Sequence, residues 1–368
     1  MEAAKKEIRI NKQKLKTILR DPEKSANVVN LEYVHDSQPG IKRVKRGQNF
    51  IYTFENKKVN DPNQLFRIRK LVIPPAWQEV WICTLDNGHL QATGLDLKKR
   101  KQYRYHSMWS MLRNQTKFYR LHEFGKALPA IRTQVEKDLS QPGLPLNKVL
   151  AAVVSLMERT SIRVGNNMYE KLYGSYGLTT LKDKHVSFKG ETMQFSFKGK
   201  KGVYQQISTR SKRLSNIVKQ CRDIPGNELF QYYDEQGQHK SIDSGMVNRY
   251  LKEITGQDFT AKDFRTWAGT SHAFMAFREI GLADTQTAMK KNILTALDAV
   301  AEHLGNTRTV CKKYYVHPIV ISLYENRQLE TYFNLLPAMD QNEDKKGLAI
   351  EEQIMMKMLE KEGLFIVA

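Results

Sequence analysis

A chain of 368 residues can hold two or three domains, each with its own core. Its 59 Lys+Arg against 39 Asp+Glu leave a formal net charge of +20, which calls for a polyanionic partner, nucleic acid or an acidic membrane surface. No apolar run approaches the ~20 residues of a spanning helix, and no phosphate loop or GxGxxG offers a nucleotide a seat. Cys83, Cys221 and Cys311 form no CxxC pair, which excludes a zinc ribbon or a disulfide scaffold and points to a reducing, cytoplasmic compartment.

In chain order, MEAAKKEIRINKQKLK reads as a charged amphipathic helix without the apolar core of a signal peptide. It makes residues 1–29 a helical lead-in, whose helix the turn Asp21-Pro22 ends. From residue 30 to about 115 the text predicts a β-rich domain. GIKRVKRGQNFIYTF, LFRIRKLVIPPAW and VWICTLDNGHLQATG read as strands and turns, with Asp86-Asn87-Gly88 as a hairpin turn. The window from Lys98 to Arg120 then carries eight Lys/Arg and no acid. Within it RKQYRYH interleaves Arg100 with Gln102, Tyr103 and Tyr105. Cations can neutralise phosphates while an amide and flat rings reach base edges; a solvated strand with a basic face fits the same pattern.

Residues 116–340 turn helical. FGKALPAIRTQVEKDL and NKVLAAVVSLMERT read as amphipathic helices joined by Ser140–Pro145. The second runs into SIRVGN, where Arg163 between apolar neighbours is either a snorkelling cation or a site residue. Three short strands follow, KHVSF, TMQFSF and VYQQIS. The last two are joined by KGKKG, a cationic hairpin tip carrying Lys200.

RLSNIVKQCRD and SGMVNRYLKEITG read as helices. Thr260 and Asp263 form a capping box opening a helix with Lys262 and Arg265 at i, i+3 spacing. Arg265 lies among Phe264 and Trp267, and a structural ion pair would account for it as well as a site would. A helix from Asp284 to Leu304 stops at Gly305, the residue suited to a left-handed helix end. Asn306 and then Tyr314-Tyr315 follow among Lys312 and Lys313, with no acid from Asn306 to Tyr324. A phenol there sits in a positive field that can activate it as a nucleophile, though tyrosines beside lysines also serve as core rings with wet hydroxyls. Residues 341–368 read as a charged loop and a packing helix with a Met-rich face.

Taken in order, IPPAW, GHLQATG, RKQYRYH, SIRVGN, LTTLKDKHV, FKGKKG, KDFRTW and LGNT followed by KKYY resemble the type IB DNA topoisomerases of the compact viral and bacterial branch. The resemblance spans roughly residues 30 to 325. It implies an α+β protein, a β-rich domain and a mostly helical catalytic domain with a small antiparallel sheet, closing as a C-shaped clamp on duplex DNA. It implies a catalytic set of Arg163, Lys200, Arg265, Asn306 and Tyr315, the tyrosine nine residues after Asn306 and so chosen over Tyr314. Tyr315 would form a 3′-phosphotyrosyl bond, the arginines would hold the non-bridging oxygens, and Lys200 would protonate the leaving 5′-oxygen.

Arg100, Gln102, Tyr103, Tyr105, Tyr169 and Lys262 match DNA-contacting positions. Neither metal, ATP nor other cofactor is implied. The expected enzyme is a monomer acting on supercoiled DNA, away from membranes, beside the nucleoid if its source is bacterial. Many family members carry histidine where this chain has Asn306, and an amide can donate a hydrogen bond but does not titrate. Two alternatives remain at this point. A tyrosine recombinase or integrase has related chemistry but usually a helical N-terminal domain and a histidine at the position of Lys262. A DNA-compacting protein without activity would use the same charge.

Overall fold

A computed structural model describes residues 21–97, 99–335 and 347–362. The helix expected over residues 1–20 lies outside them, as do residues 341–346 of the charged loop. The described residues divide into two compact units, one up to Phe118 and one from Tyr119.

In the first unit Asp21-Pro22 starts a helix. The Asp21 carboxylate accepts from the N–H groups of Glu23 and Lys24, and Pro22 takes the first helical position of Pro22–Val28, where it needs no donor. Asp61-Pro62 repeats the device and opens Pro62–Lys70, so LFRIRK is helix where its pattern predicts strand. Around this helix lies an antiparallel sheet in the order β3-β2-β1-β4-β5-β6. Its strands are β1 (Ile41–Arg46), β2 (Asn49–Phe54), β3 (Lys57–Lys58), β4 (Gln78–Ile82), β5 (Leu90–Leu95) and β6 (Lys101–Tyr105). Ile41, Val80, Ile82 and Ala92 bury against Ile68 of the helix. The expected turn lies at Asp86-Asn87 in the connection between antiparallel β4 and β5, and Gly88 bridges Glu32.

The helix Ser107–Leu139 begins inside the basic window, earlier than its periodicity announces. In the second unit the helix Leu146–Thr160, which reads as amphipathic, is buried without a break from Val149 to Met157. A helix apolar on all sides belongs at the centre of a core. The three expected strands are present as β7 (Val186–Lys189), β8 (Thr192–Lys198) and β9 (Tyr204–Arg210), an antiparallel sheet in that order. A small hairpin of β10 (Gln231–Tyr233) and β11 (His239–Ser241) adds to the expected elements.

Helices Lys212–Arg222, Ser244–Thr255, Ala261–Ile280 and Gln286–Leu304 follow. Thr260 and Asp263 form the expected capping box, and Gly305 (φ 56°) ends the last of the four. The short helix Asn167–Tyr173 precedes the sheet, and three more short helices and then Ile350–Glu362 follow Gln286–Leu304. Among the described residues no helix is long and apolar enough to cross a membrane.

Candidate active site

The end of Gln286–Leu304 is the frame of the site. A helix leaves its last carbonyls without intrahelical partners and carries partial negative charge there, so it attracts cations. Two arginines from distant parts of the chain answer it. Arg265 Nη2 donates to the Leu304 carbonyl at 2.7 Å, and Arg163 Nη2 donates to the Gly305 carbonyl at 3.3 Å.

Arg163 reaches this point because Leu146–Thr160 stops at Ser161, a left-handed residue at φ 53°. The extended segment after it is held by N–H groups of Leu178 and Thr179, which donate to the carbonyls of Arg163 and Val164 at 2.9 and 2.7 Å. Arg265 comes from the second turn of Ala261–Ile280 and is only 4% exposed. Its Nη1 donates to the Ser161 carbonyl, which ties the two arginine-bearing segments together.

No carboxylate pairs with either arginine among the described residues. Asp263, the acid that an ion pair could have used, is spent on the backbone N–H and hydroxyl of Thr260. Burial therefore acts on both cations unopposed by an acid. It lowers the pKa of Arg163 to about 10, with the charge of Arg265 adding to the effect, and it lowers that of Arg265 as well.

Asn306 stands next to the pair. Its Oδ1 accepts from Arg163 Nη2 at 2.5 Å, which fixes the amide orientation and leaves Nδ2 as the outward donor. That Nδ2 and the Nε of Arg265 are buried donors with no acceptor. Buried donors are nearly always satisfied, so both atoms are suited to an acceptor from a bound anion.

Tyr315 follows the helix Arg308–Tyr314 as its C-cap residue and is half-buried. The Arg265 guanidinium lies 5.2 Å from its ring centre. The field at this phenol thus comes from the arginines rather than from its sequence neighbours. Lys312 and Lys313 point to solvent, and Arg308 is engaged by Asp298 at 2.6 and 2.5 Å. Tyr314 is exposed, with the Lys313 ammonium over its ring. Cys311, one turn before Tyr315, is fully buried and its thiol is pushed up to about 11, so it stays protonated beside the arginines.

Two residues outside the expected catalytic set seat the tyrosine. Gly269 faces it so closely that a Cβ there would meet the Tyr315 carbonyl oxygen at 2.7 Å. The Thr270 hydroxyl lies 3.2 Å from the same carbonyl and accepts from the His317 N–H at 3.1 Å. A glycine within a helical pattern is the one sequence signal that a backbone approaches there.

Lys200 stands on the β8–β9 hairpin, with its side chain exposed and Lys201 and Gly202 at positive φ. The hairpin base reaches the site, since Gly199 and Gln205 line a small cavity with Arg163 and Leu304. Among the described residues no hydrogen bond joins Lys200 to the other four. The structure thus brings Arg163, Arg265, Asn306 and Tyr315 together and sets Lys200 on an arm beside them.

Tyr169 is exposed on the helix Asn167–Tyr173, which buries none of its own residues, and Lys262 is exposed one turn before Arg265. In the first unit, strand alternation splits the RKQYRYH group. Tyr103 and Tyr105 stack in parallel on one face of β6 with ring centres 5.8 Å apart. Arg100 and Gln102 lie on the other, where Asp96 accepts from both.

Comparison with known proteins places this arrangement. Residues 99–334 match the family model described as the catalytic core of eukaryotic DNA topoisomerase I, and residues 49–96 match the N-terminal domain of bacterial DNA topoisomerase IB. DNA topoisomerase 1B of Acanthamoeba polyphaga mimivirus is 34% identical over 299 residues, 78% of this chain and 88% of the viral one. DNA topoisomerase 1B of Vaccinia virus (strain Copenhagen) is 23% identical over 282 residues, 73% of this chain and 85% of its own.

Proposed function

The chain belongs to the type IB DNA topoisomerases, isomerases that change DNA topology, and from that premise we propose that it relaxes supercoiled duplex DNA through a 3′-phosphotyrosyl intermediate at Tyr315. The Tyr315 hydroxyl gives up its proton to water as its oxygen attacks a backbone phosphorus. The new O–P bond forms as the bond to the 5′-oxygen breaks, and Lys200 gives that oxygen its proton. Arg163 and Arg265 hold the non-bridging oxygens in a forked grip as charge builds, and Asn306 Nδ2 adds a neutral hydrogen bond. The broken strand swivels about the intact one, and the 5′-hydroxyl then attacks the phosphotyrosine to restore the backbone. Each step exchanges one phosphoester for another, so the energy of the bond is kept and ATP has no role in the cycle.

One observation carries this reading. Arg265, buried, and Arg163, half-buried, have no carboxylate partner among the described residues and donate to backbone carbonyls and the Asn306 amide oxygen, with Arg265 Nε and Asn306 Nδ2 as buried donors without an acceptor. A DNA-compacting protein would gain nothing from such a costly arrangement, and the match of the N-terminal residues to a topoisomerase domain sets the recombinase alternative aside. In EDTA and without ATP, a supercoiled plasmid should relax to a ladder of topoisomers whose linking numbers differ by one. A plasmid left supercoiled by folded, DNA-binding protein would refute the proposal.

A further inference from the structure

The family match ends at residue 334, yet the helix Ile350–Glu362 beyond it is built into the catalytic unit. Ile354, Met355, Met358 and Leu359 are buried, and Met356 lies against Gly125, where a Cβ would meet its sulfur at 2.3 Å. The helix also brings in a carboxylate. Glu352 is 8% exposed, and all its contacts are made.

Its Oε1 accepts from Arg132 Nη2 at 2.9 Å and from Trp267 Nε1 at 2.8 Å. Its Oε2 accepts from Arg132 Nη1 at 2.8 Å and from the Ala349 N–H at 2.9 Å. Burial alone would raise its pKa, but these donors hold it below the usual carboxylate range.

Each partner leads to the site. Trp267 lies two residues after Arg265 on the same helix. Arg132 also donates from Nε to Glu158 at 2.8 Å, on the last turn of the helix that delivers Arg163. One carboxylate thereby joins the two segments whose arginines must converge on one phosphate. A buried network of this kind, fully satisfied, is stiff.

We propose that Glu352 is a positioning residue for the strand-transfer reaction, holding the Arg265 helix against the Arg163 segment through Trp267 and Arg132. The inference rests on the reading that Arg265 grips a phosphoryl oxygen. A shift of that guanidinium by a fraction of an ångström weakens the transition state while leaving the DNA-binding surface alone.

The test uses the full chain carrying Glu352→Gln or Trp267→Phe, with Arg265→Ala as reference. The first variant keeps the shape and leaves Arg132 paired with Glu158; the second removes only the indole donor. Covalent adduct formation is timed at saturating suicide duplex, alongside duplex affinity and thermal unfolding. Adduct formation should fall about tenfold in both variants, their combination should be no worse than either, and affinity should stay within about twofold. Replacing one non-bridging oxygen at the scissile phosphate by methyl removes the charge that Arg265 serves. On that substrate the deficit of the variants should shrink.

An unchanged rate in folded Glu352→Gln and Trp267→Phe, or an equal deficit on both linkages, would overturn the positioning role. If Glu352→Gln does not fold, Trp267→Phe carries the test. Should Arg265→Ala itself cleave at the normal rate, the proposed mechanism fails. If Arg265→Ala is slow and the other two are not, only the role of Glu352 falls.

Discussion

The edge strand of the first unit and the arginine pair of the second are both cationic, but they carry their charge differently. At the edge strand two of the cations, Arg100 and Lys101, are already paired with acids, while Arg104 donates to the Val72 carbonyl at 2.9 Å. Arg100 meets Asp96 at 2.5 Å and Lys101 meets Asp36 at 2.6 Å, with all four groups at least partly in water. Exposed pairs of this kind contribute ~0–1 kcal/mol, so a phosphate can replace the carboxylate at little cost. Arg163 and Arg265 instead have helix-end carbonyls as their acceptors and stay short of negative charge. An uncompensated buried cation destabilises the free protein, and it is relieved only when an anion arrives. Loose, exchangeable contacts suit holding and turning a duplex, whereas a charge-starved cradle suits a transition state.

Breaking the cradle should cost most. Arg265→Ala or Arg163→Ala should slow adduct formation on the order of a thousandfold at saturating DNA, the upper range for loss of an oxyanion donor. Lys200→Ala should cost on the order of a hundredfold. A substrate whose leaving 5′-oxygen is replaced by sulfur needs little protonation and should restore most of that rate. Asn306→Ala should cost on the order of tenfold to a hundredfold, since only a neutral donor is lost, while Asn306→His should remain active.

Changes on the edge strand should be smaller and of another kind. Asp96→Asn frees Arg100 and should raise duplex affinity about threefold at low salt, with the gain fading as salt rises and the saturated cleavage rate unchanged. An Asp96→Asn enzyme whose chemical step changed as much as that of Asn306→Ala would erase the contrast between the two regions.

A last expectation concerns pH. Behind the cradle His303 lies against His272, ring centres 3.6 Å apart and tilted by 31°, with Nε2 3.0 Å from Ser161 Oγ. Burial first, then His272 and Arg265, lower its pKa from 6.5 to about 4. Between those values the unfolded chain binds a proton that the folded one refuses. Stability is therefore full above pH 6.5 and declines as pH falls toward 4. His89 adds the same dependence in the first unit. Urea midpoints at pH 7 and pH 5 should differ in that direction, and His303→Gln should reduce the difference.

Much of this is legible in the residues because the signals are local. Gly305 as a helix end, the Thr260–Asp263 capping box and the glycine-flanked hairpin of Lys200 each depend on a few neighbours in sequence. LFRIRK misleads because its alternation of apolar and basic residues suits a strand, and only the helix start at Asp61-Pro62 decides against it. The partners of the charges are out of reach of such signals. Asp36, in a turn ahead of the first strand, finds Lys101 on the last, and Glu352 finds Arg132 from 220 positions away. The positive field at Tyr315 reads in the sequence as that of adjacent lysines, yet it comes from arginines that only the fold brings near.

The central claim is that Tyr315, and not its neighbour, performs the chemistry in the arginine cradle. Wild type, Tyr314→Phe and Tyr315→Phe should be mixed with a suicide duplex labelled on the strand segment that would remain attached, then denatured and examined for label on protein. Each substitution removes one hydroxyl and keeps its ring, so folding and duplex binding should hold in all three. Wild type and Tyr314→Phe should carry the label through a 3′-phosphate and Tyr315→Phe should carry none. Label retained by Tyr315→Phe, or absent from all three, would contradict the account.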